Sequence, residues 1–402
     1  MAQKNGIEQN LPYGKHFASE LLVIDHGEGV WLWDSAGNKY LDFGAGIAVN
    51  ALGYGRDDFA KAVSEQTKKL VHISNVFATE PAIKLGRLLV ESGPFQVVHF
   101  GNSGTEANET ALKFARAWAL RTKGEGHHKF LSFTSAFHGR SYGALSVTPN
   151  PKYQEPFKPM VPGAETARFN DVADLEAKLD STFAAVIVEV IQGEGGLATM
   201  TQKFADALNT LCKKNDVLLI ADEVQTGLGR TGAMYASETV GLKPDIITLA
   251  KPLGGGLPLS ATLIPKKVNE AIHMGEHGTT FGGGPVCASL GLIVWKEITK
   301  PGFMESVQKK SAYLESLLLE LKKEFAFLGD IRGKGLLLGI EYNKNPDNPE
   351  EATAEVIRRA RETGLLVLRS GKNVLRIAPA LTITEEELKT GTDILKNIFA
   401  SI

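Results

Sequence analysis

Only two cysteines occur in the 402 residues, Cys212 and Cys287, and they lie far apart. Neither belongs to a paired spacing, which argues against a disulfide framework and a cysteine-built metal site; a reducing compartment, the cytoplasm, is expected, with no metal. An excess of one charge is also lacking. Lys and Arg number 44 against 46 Asp and Glu, a net charge of −2, so there is no strong field to draw a nucleic-acid backbone or an anionic membrane, and neither is expected as a partner. No apolar run approaches the roughly 18 residues that a membrane-crossing helix requires. Met1–Asn10 is polar and lacks the charged-then-apolar layout of a secretory leader. Internal repeats and linkers rich in Pro or Ser are missing as well, so the parts of the chain are expected to share an interface, where small-ligand clefts form.

What is present is a 43% hydrophobic chain, long enough for two to three domains of about 150 residues. Short apolar runs recur at Gln96–Phe100, Phe130–Phe133, Ala184–Val190, Val217–Ala221 and Ile246–Leu249, often with a turn and a helical pattern after each. Such runs read as strands buried on both faces, and their alternation with helices predicts an α/β domain built on a mostly parallel sheet. Past Gly302 the pattern changes to Val307, Leu314, Leu317, Leu318, Leu321 and Phe325 at helical spacing, then a strand-like Gly335–Tyr342. Thr384 with Glu387 predicts a capping box opening the last helix. Gly29–Trp33 and Lys39–Phe43 flank an Ala-Gly-Asn turn and read as a hairpin. The expected division is an N-terminal segment, 1–55, joining the small domain, a large α/β domain, 56–301, and a smaller α+β domain, 302–402.

The 42 glycines cluster at Gly227–Gly232, Gly254–Gly256 and Gly282–Gly284, as in loops that approach a ligand. Lys251 follows the apolar run ending at Ala250 and precedes Pro252 and the second cluster. A lysine at the end of a buried strand can lose its charge by desolvation and attack a carbonyl carbon to form a Schiff base, although a solvated loop lysine would also fit the pattern. Asp222 ends the run Val217–Ala221, where open α/β sheets bind ligands. Buried there, it would need a cation such as a protonated ring nitrogen, unless it merely caps a helix. Gly101-Asn102-Ser103-Gly104-Thr105-Glu106 stands at a helix start, whose free N–H groups and dipole suit a phosphate as well as plain capping. No Walker lysine follows, which speaks against nucleoside triphosphates. Phe137-His138-Gly139-Arg140 offers an aromatic face and a guanidinium, with ordinary packing as the alternative and His138 fitting a core histidine. Gly227-Leu228-Gly229-Arg230-Thr231-Gly232 has the letters of a dinucleotide fingerprint, but no long helix is expected after it and Pro252 stands where a ribose-binding carboxylate belongs.

Together the Gly101–Glu106 turn, Asp222-Glu223-Val224-Gln225-Thr226-Gly227, the Lys251 segment and Gly278-Thr279-Thr280-Phe281-Gly282-Gly283 resemble the class III aminotransferases, pyridoxal phosphate enzymes of fold type I. The resemblance runs from Gly27-Glu28-Gly29 to Leu375-Arg376-Ile377-Ala378-Pro379. It implies that Lys251 carries pyridoxal 5′-phosphate as a Schiff base and that Asp222 partners the pyridine nitrogen. It further implies Gly104 and Thr105 on the phosphate, Phe137 on the ring face and Gln225 near the ring hydroxyl. Thr280 would reach the phosphate of a neighbouring subunit in a homodimer. Arg140 and Thr279 would contact the amino donor, and Arg376 the α-carboxylate of glutamate or 2-oxoglutarate. Glu194 would pair with Arg376 when an ω-amino substrate is bound, although a plain salt bridge between the two is the alternative. Gly46–Tyr54 and His72–Asn75 narrow the resemblance to members acting on ornithine and its derivatives. Thr279 and Gly284 depart from the Ser and Asn common there, at positions that bear on substrate contacts. A noncatalytic binding protein on the same scaffold would be expected to lack the lysine, which this chain retains.

Overall fold

The computed structural model describes backbone at Gln3–Lys4, Ile7–Gln9 and residues 20–402, and side chains over residues 21–402. Apart from those two short strands, Met1–Asn10 lies outside the described residues. Seven strands form the main sheet: β1 (Val97–Gly101), β2 (Lys129–Phe133), β3 (Ala164–Ala167), β4 (Phe183–Val188), β5 (Leu218–Asp222), β6 (Ile246–Leu249) and β7 (Ser260–Ile264). Their spatial order is β1-β7-β6-β5-β4-β2-β3. Six run in one direction; β7 alone is antiparallel to its neighbours. The sheet is therefore mostly parallel, as the apolar runs predicted, and β3 and β7 are two strands those runs did not include.

Alternation along the strands decides what each face carries. Leu218, Ile220 and Ile246 pack with Ala111, Ala115 and Trp118 of α1 (Gly104–Lys123) on one face. Leu219, Ala221, Ile247 and Leu249 meet Phe204, Leu208 and Cys212 of the helix Gln202–Asn215 on the other. Ser103 starts α1 by accepting a hydrogen bond from the Glu106 N–H at 3.3 Å, while the Glu106 carboxylate accepts from the Asn102 N–H at 2.9 Å. Gly124, at φ +90°, ends the helix in a conformation that disfavours any side chain.

Beyond residue 302 lie α2 (Phe303–Glu324), β8 (Leu328–Lys334), β9 (Leu337–Tyr342), α3 (Pro349–Glu362), β10 (Leu368–Ser370), β11 (Val374–Ile377) and α4 (Glu385–Ala400). Their sheet has the order β8-β9-β11-β10. The Thr384–Glu387 capping box opens α4 as predicted. The hairpin Trp31–Asp34 with Lys39–Asp42 forms around its Ala-Gly-Asn turn, and Leu365–Leu366 adds in parallel to Lys39–Asp42. Val30, Leu41 and Phe43 share one core with Val307, Leu314, Leu338 and Phe399, so the N-terminal segment is packed with the C-terminal part. Among the described residues no helix is long and apolar enough to cross a membrane.

Candidate active site

The carboxyl ends of β1, β2, β4, β5 and β6 converge, and the turns that follow them line a cavity of about 270 Å3. Gly104, Thr105, Phe137, Arg140, Glu194, Asp222, Gln225 and Lys251, all singled out in the sequence, are in its walls, together with Asn108, His138, Glu189, Gly193 and Val224. A larger open hollow of about 800 Å3, lined in part by Lys213, Lys214 and Lys243, lies at the opposite end of β5. Converging polar groups at strand ends, rather than size, mark the smaller cavity as the site.

Asp222 is the best-anchored member. Its even position puts it on the α1 face, with Leu218 and Ile220, and there it is buried to 5% exposure. Oδ2 accepts from Asn108 Nδ2 and His138 Nδ1, both at 2.8 Å, and Oδ1 accepts from the Val224 N–H at 3.0 Å. Asn108 is itself fixed: its amide donates to the His138 carbonyl at 2.7 Å and its Oδ1 accepts from Thr248 Oγ1 at 2.8 Å. The neighbouring Glu223 turns to the other face and caps the backbone N–H groups of Ala236 and Ser237 at 3.0 and 2.7 Å. The period of two thus separates a site carboxylate from a structural one in adjacent positions. The helix-cap alternative for Asp222 does not apply, since it holds only a local turn before residues 223–234, which form no helix.

Lys251 stands two residues past β6 and is partly open to the cavity. Desolvation lowers its pKa from the ordinary lysine value, opposed by the charge of Asp222. Gly104 and Thr105 begin α1, where the first N–H groups have no partner within the helix. A Cβ on Gly104 would stand 2.6 Å from Val224 Cγ1, so only glycine lets the helix start come this close to the Gln225 segment. Gln225 Oε1 is buried without a hydrogen-bond partner among the described residues, aimed among groups that could receive a ligand. Phe137 lies half-buried on the wall. The Arg140 guanidinium, expected beside Phe137, stacks chiefly on Tyr153, 3.6 Å from the ring centre against 5.4 Å for Phe137.

Arg376 comes from β11 of the C-terminal sheet and is buried to 3% exposure. Its Nη1 donates to Glu194 Oε1 at 2.7 Å and to the Gly193 carbonyl at 2.8 Å, while Nε has no partner among the described residues. Thr279 and Thr280 are not in the cavity walls. The Thr279 carbonyl accepts from Asn75 Nδ2 at 2.6 Å and its hydroxyl from Asn102 Nδ2 at 3.1 Å, whereas Thr280 is exposed.

Two site residues escaped the sequence reading. Glu189 is a buried carboxylate whose oxygens accept from the Phe137 and Gly193 N–H groups at 3.0 and 3.2 Å. Burial pushes its pKa up to about 7, with His138 opposing and Asp222 adding. A lone carboxylate within the apolar run Ala184–Val190 was the available signal. Asn108 is the other, a polar residue beside Ala107, Ala111 and Ala115 on the buried stripe of α1.

The aminotransferase class-III family model matches residues 13–399. A Dictyostelium discoideum protein named as a probable mitochondrial acetylornithine aminotransferase is 44% identical over 388 residues, covering 95% of this chain and 84% of that protein. The acetylornithine aminotransferase of Caldanaerobacter subterraneus is 41% identical over 381 residues, covering 95% of each. Among solved structures, the ornithine aminotransferase of Toxoplasma gondii, with pyridoxal phosphate partly occupying its active site, is similar at a TM-score of 0.91 and 31% identity, covering 97% of this chain and 92% of that one. The strand-end cavity, its lysine and carboxylate, and a match over nearly the full length agree: this chain belongs to the class III aminotransferases, enzymes that use pyridoxal 5′-phosphate.

Proposed function

We propose that the chain transfers the terminal amino group of N2-acetyl-L-ornithine to 2-oxoglutarate, giving glutamate and the acetylated semialdehyde, a step of arginine biosynthesis. The observation that carries this reading is one site with two poles: Lys251 with Asp222 in the cavity walls at one, and at the other Glu194, also in the walls, paired with Arg376, which is not itself a wall residue. Relatives named for this activity at 41–44% identity support the choice of donor.

The residues present fit the cofactor. An anion-receiving helix start at Gly104 and Thr105, an unpartnered Gln225 oxygen, a buried carboxylate and a lysine of lowered pKa surround the same space. Gly104 and Thr105 would hold the phosphate, Gln225 the ring hydroxyl, Phe137 the ring face, and Lys251 the aldehyde carbon. When bound, pyridoxal phosphate supplies an electron sink for the pair left by a breaking substrate C–H bond. Asp222, held in place by Asn108 and the Val224 N–H, would hold a proton on the ring nitrogen. Lys251, with its pKa lowered by burial, would take a proton from the substrate carbon and return it. Arg376 would bind the α-carboxylate of glutamate or 2-oxoglutarate. Glu194 would neutralise Arg376 while the ω-amino donor is bound, so that no buried cation stands alone in either half-reaction. Arg140 and Thr279 would contact the donor.

A homodimer completes this reading, with Thr280 lent to the phosphate of the partner's site. Its support is an exposed apolar surface at Val76, Phe77 and Phe281, next to Thr280. The core that Val30, Leu41 and Phe43 share with Val307, Leu314 and Phe399 supports a segment 1–55 joining a small domain 302–402 beside a large domain 56–301, while Ala48, Leu52, Leu337 and Val374 pack into the large core and tie the parts together. The sparse cysteines support a cytoplasmic location.

Borohydride treatment of the yellow holoenzyme is expected to leave the cofactor on the Lys251 peptide. A colourless protein without that adduct favours a noncatalytic role. The donor is tested by kcat/KM for acetylornithine, succinylornithine, ornithine and 4-aminobutyrate; equal or better turnover of free ornithine overturns the named substrate.

A further inference from the structure

The turn that carries Glu194 is gripped by the hairpin that carries its partner. Ser370, at the end of β10 and only 1% exposed, donates to the Gly193 carbonyl at 2.7 Å and accepts from the Gly196 N–H at 2.9 Å. The next residue, Gly371, donates its N–H to the Glu194 carbonyl at 3.0 Å. A Cβ on Gly371 would lie 3.1 Å from the Gly196 nitrogen, so the two backbones meet closely. β10 pairs with β11 through Leu368 opposite Arg376 and Ser370 opposite Val374. One hairpin therefore presents the Arg376 cation and, through Ser370 and Gly371, fixes the backbone of residues 193–196 on the large domain. From the other side Glu189 accepts the Gly193 N–H. Every tie falls on backbone, and the Glu194 side chain, about one third exposed, has Arg376 as its charged partner.

We infer that Ser370 is a positioning residue that locks the 193–196 turn to the Arg376 hairpin, so that Glu194 engages and releases Arg376 by rotating its side chain alone. The inference rests on the proposed exchange of Glu194 for a substrate carboxylate. Loosening the turn weakens the Arg376–Glu194 pair. Arg376 is then poorly neutralised when the ω-amino donor is bound and more freely available to a dicarboxylate.

The test uses the holoenzyme with each half-reaction followed separately in single turnover. Ser370→Ala is expected to lower the rate constant per unit concentration for acetylornithine about tenfold, the scale of one buried hydrogen bond, and to leave that for 2-oxoglutarate unchanged. Glutarate, a dicarboxylate with neither amino nor oxo group, should bind Ser370→Ala about three- to tenfold tighter by calorimetry, because it competes with a weakened internal partner. A merely structural role would weaken glutarate binding, and that result overturns the inference. In a Glu194→Ala background Ser370→Ala should add no further loss in the donor half-reaction; multiplying losses overturn it as well. If Ser370→Ala does not fold, Ser370→Cys, close in shape and a weak donor, is read the same way, with smaller shifts of the same sign. Glu194→Ala alone tests the underlying exchange. Equal effects on both half-reactions there remove the proposed exchange and this inference with it, whereas an asymmetric Glu194→Ala beside a symmetric Ser370→Ala removes only the inference.

Discussion

The two poles of the site are built in opposite ways. At the Asp222 pole the charge is held by its own domain: α1 supplies Asn108, the turn after β2 supplies His138, and β6 fixes Asn108 through Thr248. At the Arg376 pole the cation comes from β11 and the anion from a turn of the main domain, and Glu194 remains about one third exposed. A buried carboxylate with three donors resists any change of partner, whereas a pair with one solvated member can separate at low cost. In the proposed cycle the first must keep a proton in place through both half-reactions, and the second must change with the substrate. Substitutions at the first pole should therefore damage both half-reactions alike, and those at the second should split them.

The largest effect is expected for Lys251→Ala. Loss of the proposed proton carrier should lower both half-reactions by about 10⁴-fold, measured in single turnover. A surviving rate in one half-reaction alone would break the comparison. The same lysine gives a pH test. Because burial lowers its pKa, its neutral amine is present at a lower pH than for a free lysine, so pyridoxal phosphate capture by the apoenzyme should rise with pH and level off below about 10.5, the ordinary lysine value. Asp222→Ala comes next. With the proposed ring-nitrogen partner gone, both half-reactions should fall by about 10³-fold, and unequal losses would mean that Asp222 also senses the substrate.

Lys251 and Asp222 could be found in sequence because they end apolar runs, and an α/β sheet brings such ends to one side. β4, β5 and β6 were readable for the same reason, being buried on both faces. β3, Ala-Glu-Thr-Ala at a sheet edge, carries no apolar run, and its strand character comes from pairing with β2. Asn108 and Glu189 were missed because they act through other groups, one orienting Asp222 and the other joining the Phe137 and Gly193 backbones. That depends on which strand faces which helix. His138 does lie in the core, as its type suggested, and there it also donates to Asp222. Tyr153, the ring under Arg140, sits in a separate short helix that no local pattern ties to residues 137–140. The backbone at Ala45, Gly46, Ile47 and Ala48, four successive positive φ angles, had no sequence sign either, since three of the four residues disfavour that region. Its neighbour Asp42 accepts the Gly44 N–H at 2.7 Å and the Tyr54 hydroxyl at 2.7 Å, a tertiary arrangement.

Arg376→Lys sharpens the comparison from the other pole. An ammonium cannot reproduce the two bonds that one guanidinium nitrogen makes to Glu194 and Gly193 while leaving other donors free for a planar carboxylate. The 2-oxoglutarate half-reaction should lose about 10²-fold in rate constant per unit concentration, and the acetylornithine half-reaction about tenfold or less. Equal losses would show that the arginine serves the fold rather than one substrate.

Of these four substitutions Asn108→Ala should have the smallest effect on catalysis, yet it discriminates well. It leaves the Thr248 hydroxyl and the His138 carbonyl without their partners in a buried site, so stability should fall by about 2 kcal/mol, read as a lower urea midpoint with unchanged slope. Asp222 would keep His138 and the Val224 N–H, so both half-reactions should slow together by about tenfold. If the stability loss appears while the rates stay at the parental level, His138 and the Val224 N–H are sufficient to hold Asp222, and the rigidity assigned to this pole comes from the turn after β5 instead of from α1. If the rates fall unequally, the network around Asp222 responds to the substrate, and the two poles differ in degree rather than in kind.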